Sequence, residues 1–413
     1  MIMRGVILNE MTHLSLISCS KTKSSHGAPA AALYESPLFR KSLLAALDAS
    51  KQTYILSAKH GLLGLGDVID PYDVTLKTMS RTDKIDWARR TGDQLHKVLR
   101  PGDTVGLYCG EEYSAPLRET IRSTGVRIVE PLFHLSLGLR LRLLAKLNNE
   151  GELGKDLARF YKIMARLWRG QKGGRRFIEM SGKLSWPERG VYFITGEVPE
   201  IEQHASMPRI IRVGTHAVSK GSRTTLWDRI STHRGTEAGG GSHRSSIFRS
   251  HMGRTIIRTE TKAKWPDSWA VGQSAPTSVR TEEQELERRV SSLIRAMHLL
   301  WLNVPDLPGP ASDRAYIERN AIGLLSRAGL LLPASVGSWL GKASDDWRIA
   351  TSGLWNLNHL FLKPDLSFLD VLNEYVDITL GITPEPQRSI APLSWYSQSK
   401  PESDQLSLFL NQD

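Results

Sequence analysis

Between His13 and about Asn148, short apolar runs alternate with helical stretches, and this alternation restricts the fold more than any other feature of the chain. HLSLIS, TYILS, TVGLYC and the run within VRIVEP have strand length, while SPLFRKSLLAAL, TDKIDWARRTGDQLHKVL and a third segment between TVGLYC and VRIVEP read as helices. A helical crossover returns the chain to the same end of a sheet, so strands spaced in this way run parallel. The expectation for residues 1–150 is an α/β domain with a mainly parallel sheet.

Open parallel sheets bind ligands in the crevice at the carboxyl ends of their strands. Three of the expected strand ends carry polar or reactive residues: Cys19, Ser20 and Lys21 after the first, Lys59 and His60 after the second, and Cys109 after the third. Tyr34 and Ser36 open a helix after the first strand, and the loop Asp70-Pro71-Tyr72-Asp73 follows the second. Each residue by itself also fits turn chemistry or helix capping. Together they outline a pocket.

The remainder of the chain has a different pattern. DLARFYKIMARLWRGQKGGRR is basic and helical before its glycines, and residues 151–185 are expected to be a basic helical linker. RGVYFITGE and PRIIRVGTHA read as strands and TTLWDRISTHRG as a helix; the Gly/Ser-rich EAGGGSHRSSIF reads as a loop entering another helix. A charged helix is expected from Glu282 to about Leu300, and DRAYIERNAIGLLS is a further helix. Residues 186–383 are thus expected to form an α+β domain with additional helices, and the Pro/Ser/Gln-rich residues 384–413 a flexible tail.

Charge narrows the class of partner. Lys and Arg exceed Asp and Glu to give a formal net charge of +11, which suits a polyanion, because basic side chains that neutralise phosphates release counterions. No apolar run reaches the length of a bilayer span, and a cytoplasmic location is expected. The only cysteines, Cys19 and Cys109, are too few for a disulfide framework or a cysteine-based zinc site. A bound metal would therefore rely on oxygen or histidine ligands.

Arg229 and His233 stand four residues apart and share one face of the helix TTLWDRISTHRG. A guanidinium beside an imidazole can neutralise charge on a phosphoryl group and move a proton near neutral pH. Such pairs are common on solvated helices, and the wider order of residues is what singles this one out. Gly190-Val191-Tyr192 lies in one expected strand, Arg212-Val213-Gly214 ends the next, the Arg/His helix follows, and Glu318 sits on a later helix. From about Arg189 to Ser326 this order resembles the GIY-YIG endonuclease family.

The resemblance implies that Tyr192 positions or deprotonates the attacking water and that Arg229 stabilises the phosphorane-like charge. It implies that Glu318 holds one divalent ion, magnesium or manganese, and that His233 is a general base or proton relay. Two departures stand out: Arg212 replaces the usual Tyr of the second triplet, where it can bind phosphate, and EVPEIEQHASMP lengthens the connection between the triplets. For the family's Asn near the metal, Asn320 and Asn356 are the candidates. His243 and Arg244 are candidates for phosphate or DNA contact, with Arg249 one or two turns along and an exposed basic loop as the plainer alternative; Trp227 reads as core packing in preference to a base-stacking platform.

From about Leu14 to Leu147, SCSKTK, LYESPLF, LSAKHGLLGLGDVIDPYD and YCGEEY resemble the uncharacterised DUF6884 family, with a fainter similarity to the YaaA family of DNA-associated proteins. The pocket is expected to take a nucleobase or nucleotide. Either it is a base-excising glycosidase, with Asp70 or Asp73 stabilising the sugar cation and Lys21, Lys59 and His60 holding phosphate or protonating the base, or it is a non-catalytic reader. Taken together, the expectation is a magnesium-dependent DNA endonuclease of phage defence or restriction, directed to modified or foreign DNA by its first domain, with a dimer allowed. The alternative is a nucleic-acid-binding protein with a degenerate nuclease fold.

Overall fold

The computed structural model describes residues 12–196, 207–331, 339–386, 389–392 and 394–398. The chain divides into two compact units, one formed by Met1–Lys155 with Leu325–Phe361 and the other by Asp156–Leu324 with Leu362–Asp413. No helix among the described residues is long and apolar enough to cross a membrane. The inserted segment between the two triplets lies largely outside the described residues, as does the chain from 399 onward.

In the first unit the strands are β1 (Thr12–Ser18), β2 (Ser50–Ser57), β3 (Gly61–Gly64), β4 (Thr104–Tyr108) and β5 (Arg127–Val129), in sheet order β3–β2–β1–β4–β5. β1, β2, β4 and β5 run parallel, and β3 folds back antiparallel on β2. The crossover helices are α1 (Pro37–Ala49), α2 (Arg81–Leu95) and α3 (Glu111–Ser123). Their starts are chemically fixed: Ser36 caps α1 through the Phe39 N–H with Pro37 in the first position, and Ser80 caps α2 through the Asp83 N–H. Alternate residues of β1 enter different cores, Ile17 with Phe39, Leu43 and Leu44 of α1, and Leu16 with Trp87 of α2 and Ile121 of α3. Covering both faces accounts for the nearly continuous apolar character of these strands.

β1 has β2 on one side and β4 on the other, so the crossovers leave it in opposite directions and open a crevice at its carboxyl end. A further helix, α4 (Leu137–Leu147), closes this part of the chain.

The second unit includes α5 (Glu150–Gly170) from Asp156 onward, whose Phe160 ring lies 6.4 Å from that of Phe193. Its sheet comprises β6 (Arg175–Arg176), β7 (Gly190–Thr195), β8 (Ile210–Gly214) and β9 (His298–Asn303), ordered β8–β7–β9–β6. Every pairing in it is antiparallel, and all six residues of β7 are buried. The helices that matter for the site are α6 (Leu226–Arg234), α7 (Ile247–Thr259), α8 (Gln284–Ala296) and α9 (Asp313–Leu331).

One sequence expectation is corrected here. The charged helix expected to run to about Leu300 stops at Ala296, and HLLWLN becomes the inner strand β9. β9 pairs with β7 over its whole length, and Gln171 takes the place of a neighbouring strand at Trp301, donating to its carbonyl at 2.8 Å and accepting its N–H at 3.3 Å. A short apolar run fits a buried helix and a buried strand equally well, and only the pairing decides between them.

Candidate active site

Two glycines set the geometry of the second unit's sheet. A Cβ on Gly190 would lie 2.2 Å from the Leu302 carbonyl oxygen, and one on Gly214 would lie 2.2 Å from the Tyr192 hydroxyl. Gly214 and Trp301 are the direct cross-strand partners of Tyr192, so all three occupy one face of the sheet. Arg212, two residues before Gly214 on the same strand, shares that face.

Helix α6 covers this face. It starts at a capping box between Thr225 and Asp228, buries Leu226, Ile230 and His233, and ends where Gly235 adopts φ of +78°. The burial stripe carries His233 onto Tyr192, with Nε2 2.8 Å from the phenolic oxygen. On the far side of the ring, His233 Nδ1 lies 2.8 Å from Ser246 Oγ. Burial holds the imidazole pKa well below its ordinary value, and the charges of Arg212, Arg229 and Arg249 act in the same direction.

Glu318 reaches the site from α9. Burial pushes its carboxyl up to about 7, opposed by Arg212, the Thr215 N–H, Arg229 and Arg314. Thr215 directly follows Gly214, so the second triplet also delivers a backbone donor to Glu318. Arg212 and Arg229 thereby lie within electrostatic reach of both His233 and Glu318, and His233 meets Tyr192. Tyr192 and His233 are fully buried, whereas Arg229 and Glu318 keep partial access to solvent.

The expected phosphate contacts of the SHRSSIFR loop are placed differently. His243 is buried, receives the Ala270 N–H at Nε2 and faces Glu287 Oε1 through Nδ1 at 3.0 Å. Arg244 makes a two-pronged ion pair with Glu283 at 2.5 and 2.8 Å. His243 thus spends its ring nitrogens inside the unit, and Arg244, half-buried, has both Nη groups engaged by Glu283. Asn320 likewise bonds backbone groups, the Tyr316 carbonyl and the Asp365 N–H, while Asn356 belongs to the first unit. Trp227 is partly buried and stacks on Trp186 at 5.3 Å, and Trp186 in turn meets Trp301 at 4.9 Å.

Sequence reasoning placed Arg249 beside the expected phosphate contacts and missed its part in the layer behind His233. Arg249, fully buried, donates to the His233 carbonyl at 2.9 Å and to Glu287 Oε2 through Nε and Nη2. It also missed His216, whose Nε2 accepts the Gly190 N–H at 3.3 Å while Nδ1 faces the Thr224 carbonyl at 2.9 Å. Burial and nearby Arg314 lower His216 to about 4, so it acts as a neutral strut under the first triplet. The polar residues of SHRSSIFR were visible, but their acidic partners lie about forty residues away.

Residues 152–381 match the GIY-YIG domain family, and residues 14–146 match a family of unknown function, DUF6884. The chain belongs to the GIY-YIG family. Membership supports nuclease activity, hydrolysis of a nucleic-acid backbone, with DNA as its partner. No curated protein and no solved structure matches the chain. Within the GIY-YIG unit, no group of three or more His, Cys, Asp or Glu among the described residues is arranged to hold a metal ion.

In the DUF6884 unit the structure gathers part of the expected pocket at the ends of β1 and β2. Tyr72 Oη lies 2.7 Å from both Tyr34 Oη and Ser57 Oγ, and Cys19 Sγ lies 3.1 Å from Tyr113 Oη. Lys23 Nζ sits 4.4 Å and Lys59 Nζ 5.7 Å from the centre of the Tyr72 ring, and the His60 ring meets its edge. Burial raises the Tyr72 and Tyr113 phenols well above their ordinary range and Tyr34 to about 12, so these hydroxyls remain protonated donors. Lys23 and Tyr113 join the cluster beyond the residues singled out from sequence.

Other expected members stand apart from it. Ser36 is the cap of α1, Ser20 Oγ donates to the Thr22 carbonyl, and Lys21 and Asp73 are exposed. Asp70 lies against Gly27, where an added Cβ would meet Oδ1 at 2.6 Å. Cys109 is buried, and its thiol is pushed up to about 12 by burial and by Glu130, which suppresses the reactive thiolate.

Proposed function

We propose that the chain is a divalent-metal-dependent DNA endonuclease whose first unit recognises or excises bases, and that it acts in defence against modified or foreign DNA. The observation that carries the nuclease reading is the 2.8 Å contact between Tyr192 and His233 in a field of arginines beside Glu318. Arg229 and Glu318 are the members that reach solvent, so a phosphodiester docks on them, over the buried Tyr192. Arg229, aided by Arg212, offsets the charge that builds on the phosphoryl oxygens. Tyr192 orients or deprotonates the attacking water, and His233 controls the phenol.

Glu318 suits one small hard cation. Its carboxyl is the acidic group of the site and keeps partial access to solvent, and water and phosphate oxygens can fill the remaining octahedral positions around magnesium or manganese. The bound ion would stabilise charge on the leaving oxygen.

For the first unit, the support is the hydroxyl chain Tyr34–Tyr72–Ser57 flanked by Lys23 and Lys59, which offers donors, a ring face and positive charge to a nucleotide. A glycosidase and a non-catalytic reader both fit these groups. Mass spectrometry of bases released from modified and unmodified DNA by the Glu318→Gln protein separates them, and absence of free base from every substrate rejects excision.

Plasmid cleavage tests the nuclease. Nicking with magnesium is expected, abolished by EDTA and by Glu318→Gln. Magnesium-independent binding without cleavage of DNA or RNA would instead place the chain among binding proteins with a nuclease fold.

A further inference from the structure

A cavity of about 480 Å³ opens in the GIY-YIG unit between the Gly/Ser-rich loop 236–242 and the start of α8. Sites for small ligands occupy roughly 300–1,000 Å³, so the cavity has the capacity of one. Its floor is the layer that supports His233. Gly241 packs directly on the Arg249 guanidinium, where an added Cβ would meet Nη2 at 2.2 Å, and the Gly240 carbonyl accepts the Thr236 N–H at 2.8 Å and the Ser291 hydroxyl at 3.2 Å. These contacts fold the loop onto α8 and leave the N–H groups of Gly240 and Gly241, both in the cavity wall, with no acceptor among the described residues.

The charges around the cavity do not cancel. Glu283 and Glu287 both line it, but each is answered from within the unit: Glu283 by the two Nη groups of Arg244 and by the Ser268 hydroxyl at 2.9 Å, Glu287 by Arg249 and the His243 N–H. Arg280, on the short helix Thr277–Glu282, and Arg288, on α8, are exposed members of the same lining, and neither forms an ion pair among the described residues. Arg288 donates only to the neutral Gln284 Oε1, at 3.2 Å. Two positive charges are thus left over beside free backbone donors. No aromatic ring borders the cavity, and Ala238 is the one apolar side chain in its lining, so a ligand here is held by charge and hydrogen bonds and not by stacking.

We propose that this cavity is a second phosphate site of the GIY-YIG unit, which takes adjacent phosphate groups, from a nucleoside polyphosphate or from a nucleic-acid strand, through Arg280, Arg288 and the N–H groups of Gly240 and Gly241. A guanidinium offers a planar fork of donors to phosphate oxygens, and backbone N–H groups in a glycine loop add donors that need no side chain. The site is separate from the position of the scissile phosphate, because Tyr192, Arg229 and Glu318 do not border the cavity. Arg244, expected from sequence to meet phosphate, instead neutralises Glu283, and the phosphate contacts pass to two arginines forty residues away.

The test is titration calorimetry on the full-length protein in EDTA, which keeps divalent ions from the cleavage site, with pyrophosphate as the probe. Pyrophosphate is expected to bind and thymidine, which carries no phosphate, is not. Replacing both Arg280 and Arg288 with Ala should weaken pyrophosphate binding at least about tenfold, since hydrogen bonds to charged groups are each worth that factor or more. Both positions are exposed, and an unchanged circular dichroism spectrum checks that the fold is kept. Arg289→Ala, which removes a charge already paired with Glu260 on the same helix, and Arg229→Ala should each change binding less than about threefold. Loss of binding in Arg229→Ala in place of the double variant would move the anion to the cleavage site and overturn the proposal, as would failure of pyrophosphate to bind. Displacement identifies the source of the phosphates. Release of pyrophosphate by oligothymidylate marks a nucleic-acid strand, and release by thymidine triphosphate alone marks a free nucleotide. Release by neither would sink the idea.

Discussion

Tyr192 can sit where it does because residue 214 has no side chain. Its hydroxyl occupies the space that a Cβ at 214 would enter at 2.2 Å, so Gly214→Ala must push the phenol out of line with His233. A displacement of about 1 Å in a reacting group commonly costs on the order of a hundredfold in rate. The expected outcome is a loss of that size in kcat for plasmid nicking with the unit still folded, and activity within threefold of the parent would show that Tyr192 is not held by this contact. Gly190, Tyr192 and Gly214 were legible in sequence because their order along the chain resembles the GIY-YIG pattern, although the close approaches the glycines allow are made between strands. The internal roles of His243 and Arg244 were not, because Glu283 just before α8 and Glu287 within it are distant in sequence, and loop polarity alone cannot distinguish an internal ion pair from an exposed basic patch. His216 was hidden for a related reason: it reads as a polar residue at a strand end until the N–H of Gly190 is seen to point at it.

At the scale of elements, α8 holds the site from behind although it contributes no residue to it. Glu287 accepts from Arg249 and His243, and all three side chains are buried. Removing one partner of a buried pair leaves an uncompensated charge, which costs about 3–5 kcal/mol. Glu287→Ala is therefore expected to raise amide hydrogen exchange across 243–260 and 284–296 and to slow cleavage, while Glu282→Ala, at an exposed position, leaves both as they were. Equal protection in the two variants would mean that the Arg249 charge finds another partner. The helix boundary itself shows where sequence runs out. The charged periodicity of α8 is strong and its existence was readable, but its end was not, since HLLWLN has no breaker before it and becomes a strand only by pairing with β7. In the first unit the reverse holds: each parallel strand is separated from the next by a helix or a polar turn, and the order of elements can be read almost directly.

Across the molecule, the GIY-YIG unit depends on histidines that stay neutral, and this gives its stability a definite pH dependence. His216 titrates near 4 in the folded unit and near 6.5 when unfolded, and His233 is also lowered. Above 6.5 neither state binds the extra protons, so the stabilisation is fully present. As pH falls below 6.5 the unfolded chain takes up protons that the folded one refuses, and stability is lost progressively toward pH 4. Glu318 works in the opposite sense: its folded value of about 7 lies above the ordinary 4.5, so the folded unit binds that proton first and gains stability as pH falls from 7 to 4.5. The two effects overlap, and Glu318→Gln removes the second. In that variant, urea unfolding of the GIY-YIG unit followed by hydrogen exchange should show about 2 kcal/mol less stability at pH 5 than at pH 7 from His216 alone, at about 1.4 kcal/mol per pKa unit. The lowered carboxylates Glu283 and Glu287 do not interfere, because their contribution is lost only below about 4.5. Replacing His216 with Gln in the same background should flatten much of this slope, and equal stability at the two pH values in the Glu318→Gln protein would contradict a neutral His216 beneath the first triplet.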